Sequence, residues 1–291
     1  MKGLSCNSGL LCKYSTEEAI NILAEHGYQG IDISLEIAPP FLPMPPPHMS
    51  PDDNASTRRR VRKAAEQAGI TIVALNAHNN LIHSVPETRQ ANLEFVKGAL
   101  QLASDLEVQC VVAGSGMKEF YGWESLYWEW IVDALRELVS DADRLGISLA
   151  VEAGGLPGIL VHNLSRMQRL LEYEGLESLG VLFDPSHYYI RGDDVPEAFK
   201  ALSRRVAHVH AKDAKGYVED YAFPPLGMGD IDFEALVSAM VACNYTGYIS
   251  VEYEAFAWGY EMEPTQVLSE GKTQLDGIIS AAARLPNQQS R

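Results

Sequence analysis

The feature that most constrains this chain is a regular alternation of short β-like runs with longer amphipathic stretches, repeated eight times in order. The strand candidates are Gly3–Asn7, Gly30–Leu35, Ile70–Asn76, Gln109–Ala113, Ile147–Glu152, Gly180–Asp184, Val206–Ala211 and Gly247–Glu252. Between them, helical spacing of apolar side chains predicts helices over Thr16–Gly27, Asn54–Gly69, Pro86–Leu106, Glu124–Gly146, Leu164–Tyr173, Val195–Ser203 and Phe233–Cys243, with a last one inside Pro264–Leu285. Thr16 reads as the N-cap of the first helix and Asp232 as that of the seventh. A strand always followed by a helix meets the next strand in parallel, through a crossover. Eight such units predict closure into a single (β/α)8 TIM barrel over residues 1–291, with 286–291 a polar tail. Barrels of about 250 residues form one domain, so the length of 291 asks for no division. Pro39–Pro51 is too poor in backbone donors for a strand and reads as a long loop. No G-x-G-x-x-G follows the first strand, which argues against a dinucleotide-binding sheet.

Composition then excludes whole classes of function. With 46% hydrophobic and 21% charged residues, the chain has the apolar surface that a disordered protein lacks. It has no run of 18 apolar residues, so no membrane span is expected. Met1–Leu11 has no apolar core followed by a cleavage site, so no signal peptide is read and the expected location is cytoplasmic. The 23 basic and 39 acidic side chains leave a charge of −16, which works against a nucleic-acid partner. Cys6, Cys12, Cys110 and Cys243 form no C-x-x-C and are expected as buried free thiols in a reducing compartment.

In a (β/α)8 barrel the active site lies at the carboxyl ends of the strands, so the polar residues ending each strand are the ones to ask about. Four consecutive strands offer Glu152, Asp184, His210 and Glu252 there. Any one of them alone reads equally well as a polar residue leaving the core. Together, three carboxylates confined in one mouth repel each other and call for a cation or for protons. One bound divalent metal ion answers this. Three carboxylates and one imidazole suit Mn²⁺ first, with Mg²⁺ and Co²⁺ close, and Zn²⁺ less favoured because no thiolate contributes. His208 and His210 alternate along one strand and point to one side; His210, nearer the rim, is the expected ligand and His208 a core or supporting residue.

The residues around these four carry a family resemblance. Glu152, Phe183-Asp184-Pro185-Ser186-His187, His208-Val209-His210-Ala211-Lys212-Asp213 and Val251-Glu252 together resemble the xylose isomerase-like TIM-barrel superfamily of sugar isomerases and epimerases. The stretch Ala74–His83 is similar to the strand-three loop of these enzymes. The resemblance covers nearly the whole chain. It implies one metal held by Glu152, Asp184, His210 and Glu252, with Glu152 and Glu252 as the acid/base pair. It also implies substrate contacts by His78, His187 and Lys212, with His187 on a substrate oxygen and counted among the catalytic residues.

The implied chemistry moves a proton next to the carbonyl of a keto-sugar through a metal-stabilised enediolate. Return to the opposite face is epimerisation, return to the neighbouring carbon isomerisation, and loss of a β-leaving group elimination. Free-ketohexose 3-epimerases usually carry a glutamate and an arginine where this chain has Gly158 and Gly216. The ligands of the endonuclease IV branch are missing at Ala113-Gly114-Ser115 and in the Pro225–Asp230 loop. The glycine-hinged Phe223–Phe233 segment and the aromatic cluster after Glu252, including Trp258, resemble the branch that handles 3-oxo-glycosides, and Trp258 is expected to stack on the sugar. The expectation is therefore an isomerase or epimerase of a keto-sugar or keto-glycoside. The alternative is a metal-dependent lyase, either an inosose-type dehydratase or the large subunit of a 3-oxo-glycoside C-deglycosidase, which would bring a second subunit. A catalytically idle, metal-retaining sugar-binding barrel is the reading from outside enzymes. The resemblance also implies a homodimer or homotetramer. The stripe Trp123, Tyr127, Trp130 is read as core or subunit packing.

Overall fold

The computed structural model describes residues 1–36, 46–282 and 284. Residues 37–45, which include the first part of the proline-rich stretch, and the expected polar tail at 286–291 lie outside the described residues. Seven strands follow in chain order: β1 (Gly3–Asn7), β2 (Gly30–Ser34), β3 (Thr71–Asn76), β4 (Cys110–Gly114), β5 (Ser148–Glu152), β6 (Gly180–Phe183) and β7 (Val206–Ala211). A small antiparallel hairpin comes next, β8 (Lys215–Tyr217) and β9 (Asp220–Ala222), and then β10 (Tyr248–Val251). β1 pairs in parallel with both β2 and β10, which closes the sheet in the order β1-β10-β7-β6-β5-β4-β3-β2. The expected (β/α)8 TIM barrel is the fold observed.

The helices are α1 (Thr16–Glu25), α2 (Ala55–Ala68), α3 (Pro86–Leu106), α4 (Glu124–Leu145), α5 (Leu164–Leu171), α6 (Pro185–Tyr189), α7 (Val195–Leu202), α8 (Phe233–Ala242) and α9 (Pro264–Ala282). Asp232 caps α8 as expected, accepting from the Ala235 N–H at 2.8 Å. The first cap differs. Ser15, not Thr16, caps α1, because Glu18 sits three residues on and accepts from the Ser15 N–H at 2.8 Å while Ser15 Oγ accepts from Glu18 at 3.3 Å. α6 was not anticipated, since five residues are too few to show a helical period. It shortens the sixth strand to Phe183 and makes Asp184 its N-cap.

Alternation along the strands divides the interior in two. Val111, Ala113, Leu149, Val151, Val181 and Phe183 join the large apolar core beneath the helices. Their neighbours Ala74, Cys110, Val112, Ala150 and Leu182 form a separate small cluster, on the other face of the same strands and so inside the barrel. The rest of the lumen is polar: Ser5, Asp32, Asn76, His208, His210 and Ser250 are all buried. All four cysteines are free, but only Cys6 and Cys110 are buried. Cys12 and Cys243 are half-buried because they cap the ends of a 3-10 turn and of α8, which corrects the expectation of four buried thiols. The aromatic stripe also divides: Tyr127 is fully buried, whereas Trp123 precedes α4 and is 45% exposed. Among the described residues no helix is long and apolar enough to cross a membrane.

Candidate metal centre

The carboxyl ends of four neighbouring strands bring Glu152, Asp184, His210 and Glu252 together. One donor atom from each lies within 4.8 Å of all the others. His210 Nδ1 is 3.3 Å from Glu252 Oε2 and 3.8 Å from Glu152 Oε1. Glu152 Oε1 and His210 Nδ1 are buried without a hydrogen-bond partner among the described residues. A buried polar atom left in that state costs about 1–3 kcal/mol, and a cation at the meeting point would satisfy both at once. Against their burial, which opposes charge, the surrounding carboxylates raise the pKa of His210 well above its ordinary value. The same field favours any cation placed at Nδ1. The donor set therefore fits a divalent metal of hard or borderline character.

The far side of the His210 ring is also held. Its Nε2 lies 3.3 Å from Asp32 Oδ2, and the same oxygen is 2.6 Å from His208 Nε2. Asp32 sits midway along β2, fully buried. Burial works against its charge, yet His208 and His210 hold the carboxyl well below the usual carboxylate range. A carboxylate on the outer nitrogen fixes the ring of a metal-binding histidine. His208, read from the sequence as a core or supporting residue, is buried against Asp32. Asp32 escaped the sequence reading, although one aspartate between the isoleucines of Gly30-Ile31-Asp32-Ile33-Ser34 was a visible signal. Asp32→Asn is expected to weaken Mn²⁺ binding about tenfold or more through the loosened His210, and to cost about 3 kcal/mol of stability through the unpaired His208. Titration calorimetry and thermal unfolding measure the two; unaltered Mn²⁺ affinity would show that Asp32 does not orient the ligand.

His78, in the loop after β3, is placed against a ligand. Its Nε2 is 2.9 Å from Glu152 Oε2 and its Nδ1 is 2.6 Å from Glu36 Oε1. Burial opposes its charge, but Glu36 and Glu152 raise its pKa well above the ordinary value. In turn, and again against burial, His78 lowers the pKa of Glu152 to about 2. Glu152 thus has one oxygen fixed and one aimed at the centre. Glu252 is held on both sides, its Oε1 accepting from Asn7 Nδ2 at 2.9 Å and its Oε2 lying 2.7 Å from Lys212 Nζ. Lys212 is buried, with Nζ also 2.9 Å from Asp184 Oδ2, 3.1 Å from Glu254 Oε2 and 3.4 Å from His187 Nε2. Burial and the Lys212 ammonium lower the pKa of His187, which favours its neutral imidazole. Burial pushes Glu254 up to about 7, against the pull of Lys212. Asn7, Glu36 and Glu254 were not singled out from sequence.

Trp258 stands in an aromatic wall beside the centre. Its ring is 4.8 Å from that of Phe223 and 5.8 Å from that of Tyr221. Phe223 in turn lies 5.5 Å from the His187 ring and 5.0 Å from Lys212 Nζ. The loop carrying Phe223 is tied down by Asp213, the last residue of the H-x-H-x-K-D run. Asp213 accepts from the N–H groups of Ala214, Gly227 and Gly229 at 2.9 Å and of Ile231 at 3.3 Å. Gly229 is required there, because a Cβ would lie 2.2 Å from Asp213 Oδ1.

Comparison with known proteins agrees with this fold. A family model described as xylose isomerase-like TIM barrel matches residues 20–274. Inosose dehydratase of Salmonella agona is 27% identical over 167 residues, 52% of this chain and 54% of that protein. Inosose isomerase of Halalkalibacterium halodurans is 26% identical over 162 residues, 54% of this chain and 57% of that protein. The matches thus span only a little over half the length of either relative. In overall shape the chain is similar to a crystal structure of the IOLI protein with a zinc atom bound, at a TM-score of 0.79 and 20% identity, covering 97% of this chain and all of that one.

Proposed function

Because the chain belongs to the xylose isomerase-like TIM-barrel family, we propose that it is a divalent-metal-dependent isomerase or epimerase that moves a proton next to the carbonyl of a keto-sugar or keto-glycoside. The observation that carries this reading is the convergence of Glu152, Asp184, His210 and Glu252, with the buried Oε1 of Glu152 lacking a hydrogen-bond partner among the described residues. A divalent cation held there, Mn²⁺ foremost, supplies stabilisation for the negative charge that grows on a carbonyl oxygen as the adjacent C–H is broken. Glu152, kept ionised by His78, accepts that proton. Glu252 stands three strands away around the barrel and serves as the second proton carrier. Lys212 and the neutral His187 face the substrate oxygens, and Trp258 with Phe223 offers a flat apolar wall to the sugar ring.

Elimination is the second reading, favoured by a particular observation. The Lys212 ammonium and His187 Nε2 are 3.4 Å apart beside the ligands, and a proton donor there supports the departure of a hydroxide. The Salmonella relative is named a dehydratase. Incubation of Mn²⁺-loaded protein in D₂O with keto-inositols, ketohexoses and 3-oxo-glycosides, followed by NMR and mass spectrometry, tests both. The expected result is uptake of one deuterium beside the carbonyl with no group lost. Loss of water or an aglycone would move the assignment to a lyase. No exchange in any compound would leave the idle sugar-binding barrel.

A further inference from the structure

We infer that Glu254 is a positioning residue that takes up the Lys212 ammonium when a divalent cation engages Asp184 and Glu252, and so sets how tightly the centre binds its metal. The inference rests on the metal-centre reading above. An ammonium has three donors and no acceptor, and Lys212 Nζ reaches three carboxylates: Asp184 at 2.9 Å, Glu252 at 2.7 Å and Glu254 at 3.1 Å. Two of these belong to the four-residue donor group and the third does not. The ammonium and a metal ion therefore compete for Asp184 and Glu252, and repel each other at contact distance. Glu254 is the carboxylate left to Lys212 when the other two are taken. The move is short, because the contact with Glu254 already exists. The Phe223 ring, 5.0 Å from Nζ, flanks the ammonium on its apolar side. Lys212 is thus an internal competitor of the metal, and Glu254 relieves the competition.

Calorimetric titration of Mn²⁺ into the wild type, Lys212→Met, Glu254→Gln and the double variant tests this, with circular dichroism to confirm folding. Removal of the competitor in Lys212→Met is expected to tighten Mn²⁺ binding about tenfold, and Glu254→Gln to weaken it about tenfold, within the range seen for groups around metal ligands. The double variant should match Lys212→Met, because Glu254 acts through Lys212. That pattern separates positioning from a simple loss of negative charge, which would weaken binding in either background. A folded Lys212→Met with unchanged or weaker affinity overturns the inference, as does an unaltered Glu254→Gln. Should Lys212→Met fail to fold, Lys212→Gln takes its place in the single and the double variant, and unchanged binding in Glu254→Gln overturns the inference in any case. A wild type that binds no Mn²⁺ overturns the metal centre as well, whereas a wild type that binds while the variants do not shift overturns this inference alone.

Discussion

Glu152→Gln is expected to lower kcat by about 10³-fold, the scale of losing a positioned general base, while the barrel stays folded. Two features of Glu152 support so large an effect. Among the described residues Oε1 has no hydrogen-bond partner and lies 3.8 Å from His210 Nδ1, whereas Oε2 is paired with His78 Nε2 at 2.9 Å. Glutamine keeps the shape but removes both the basicity and the charge that a metal requires. His78 would then lose one of the two carboxylates that keep it protonated, so a modest drop in thermal stability should accompany the kinetic loss. Steady-state rates on an exchange-competent keto-sugar, read beside unfolding curves, provide the check. Near-normal turnover would remove Glu152 from the chemistry.

Metal removal should have an effect of similar size. Dialysis against a chelator is expected to bring activity to background, and Mn²⁺ or Co²⁺ to restore it. Binding to the folded state alone also stabilises, by about 2.7 kcal/mol at 100 times Kd, so the unfolding midpoint should rise with added Mn²⁺ independently of any substrate. Turnover that persists in metal-free protein, or a midpoint that ignores Mn²⁺, contradicts the centre.

The barrel and its four converging side chains were legible in the sequence for one reason. The fold sends function to strand ends, and Glu152, Asp184, His210 and Glu252 stand at or next to the carboxyl ends of β5, β6, β7 and β10, where an apolar strand does not otherwise carry such residues. What surrounds the four was less legible. Asp32 lies within a strand rather than at its end, and it meets His208 from 176 residues away in the chain and His210 from farther still, which no local pattern shows. Asn7 ends β1 under the same rule that identified Glu152, but a neutral amide does not announce a role as a carboxylate does. Glu254 and Glu36 sit just past strand ends, where acidic residues are ordinary. Lys212 was visible within a motif, yet its pairing with three carboxylates depends on side-chain reach across separate strands.

The two-sided interior has a consequence for anyone who would redesign this molecule. On one side of the strands lies a continuous hydrocarbon layer under the helices; on the other, a lumen shared between a few small apolar groups and an ionic array. Substituting hydrocarbon for buried ions often makes a protein sturdier, and here that same replacement would erase the reactive apparatus. Gains in robustness should therefore be sought in the outer layer, and changes of reactivity inside the tube, with little trade between the two.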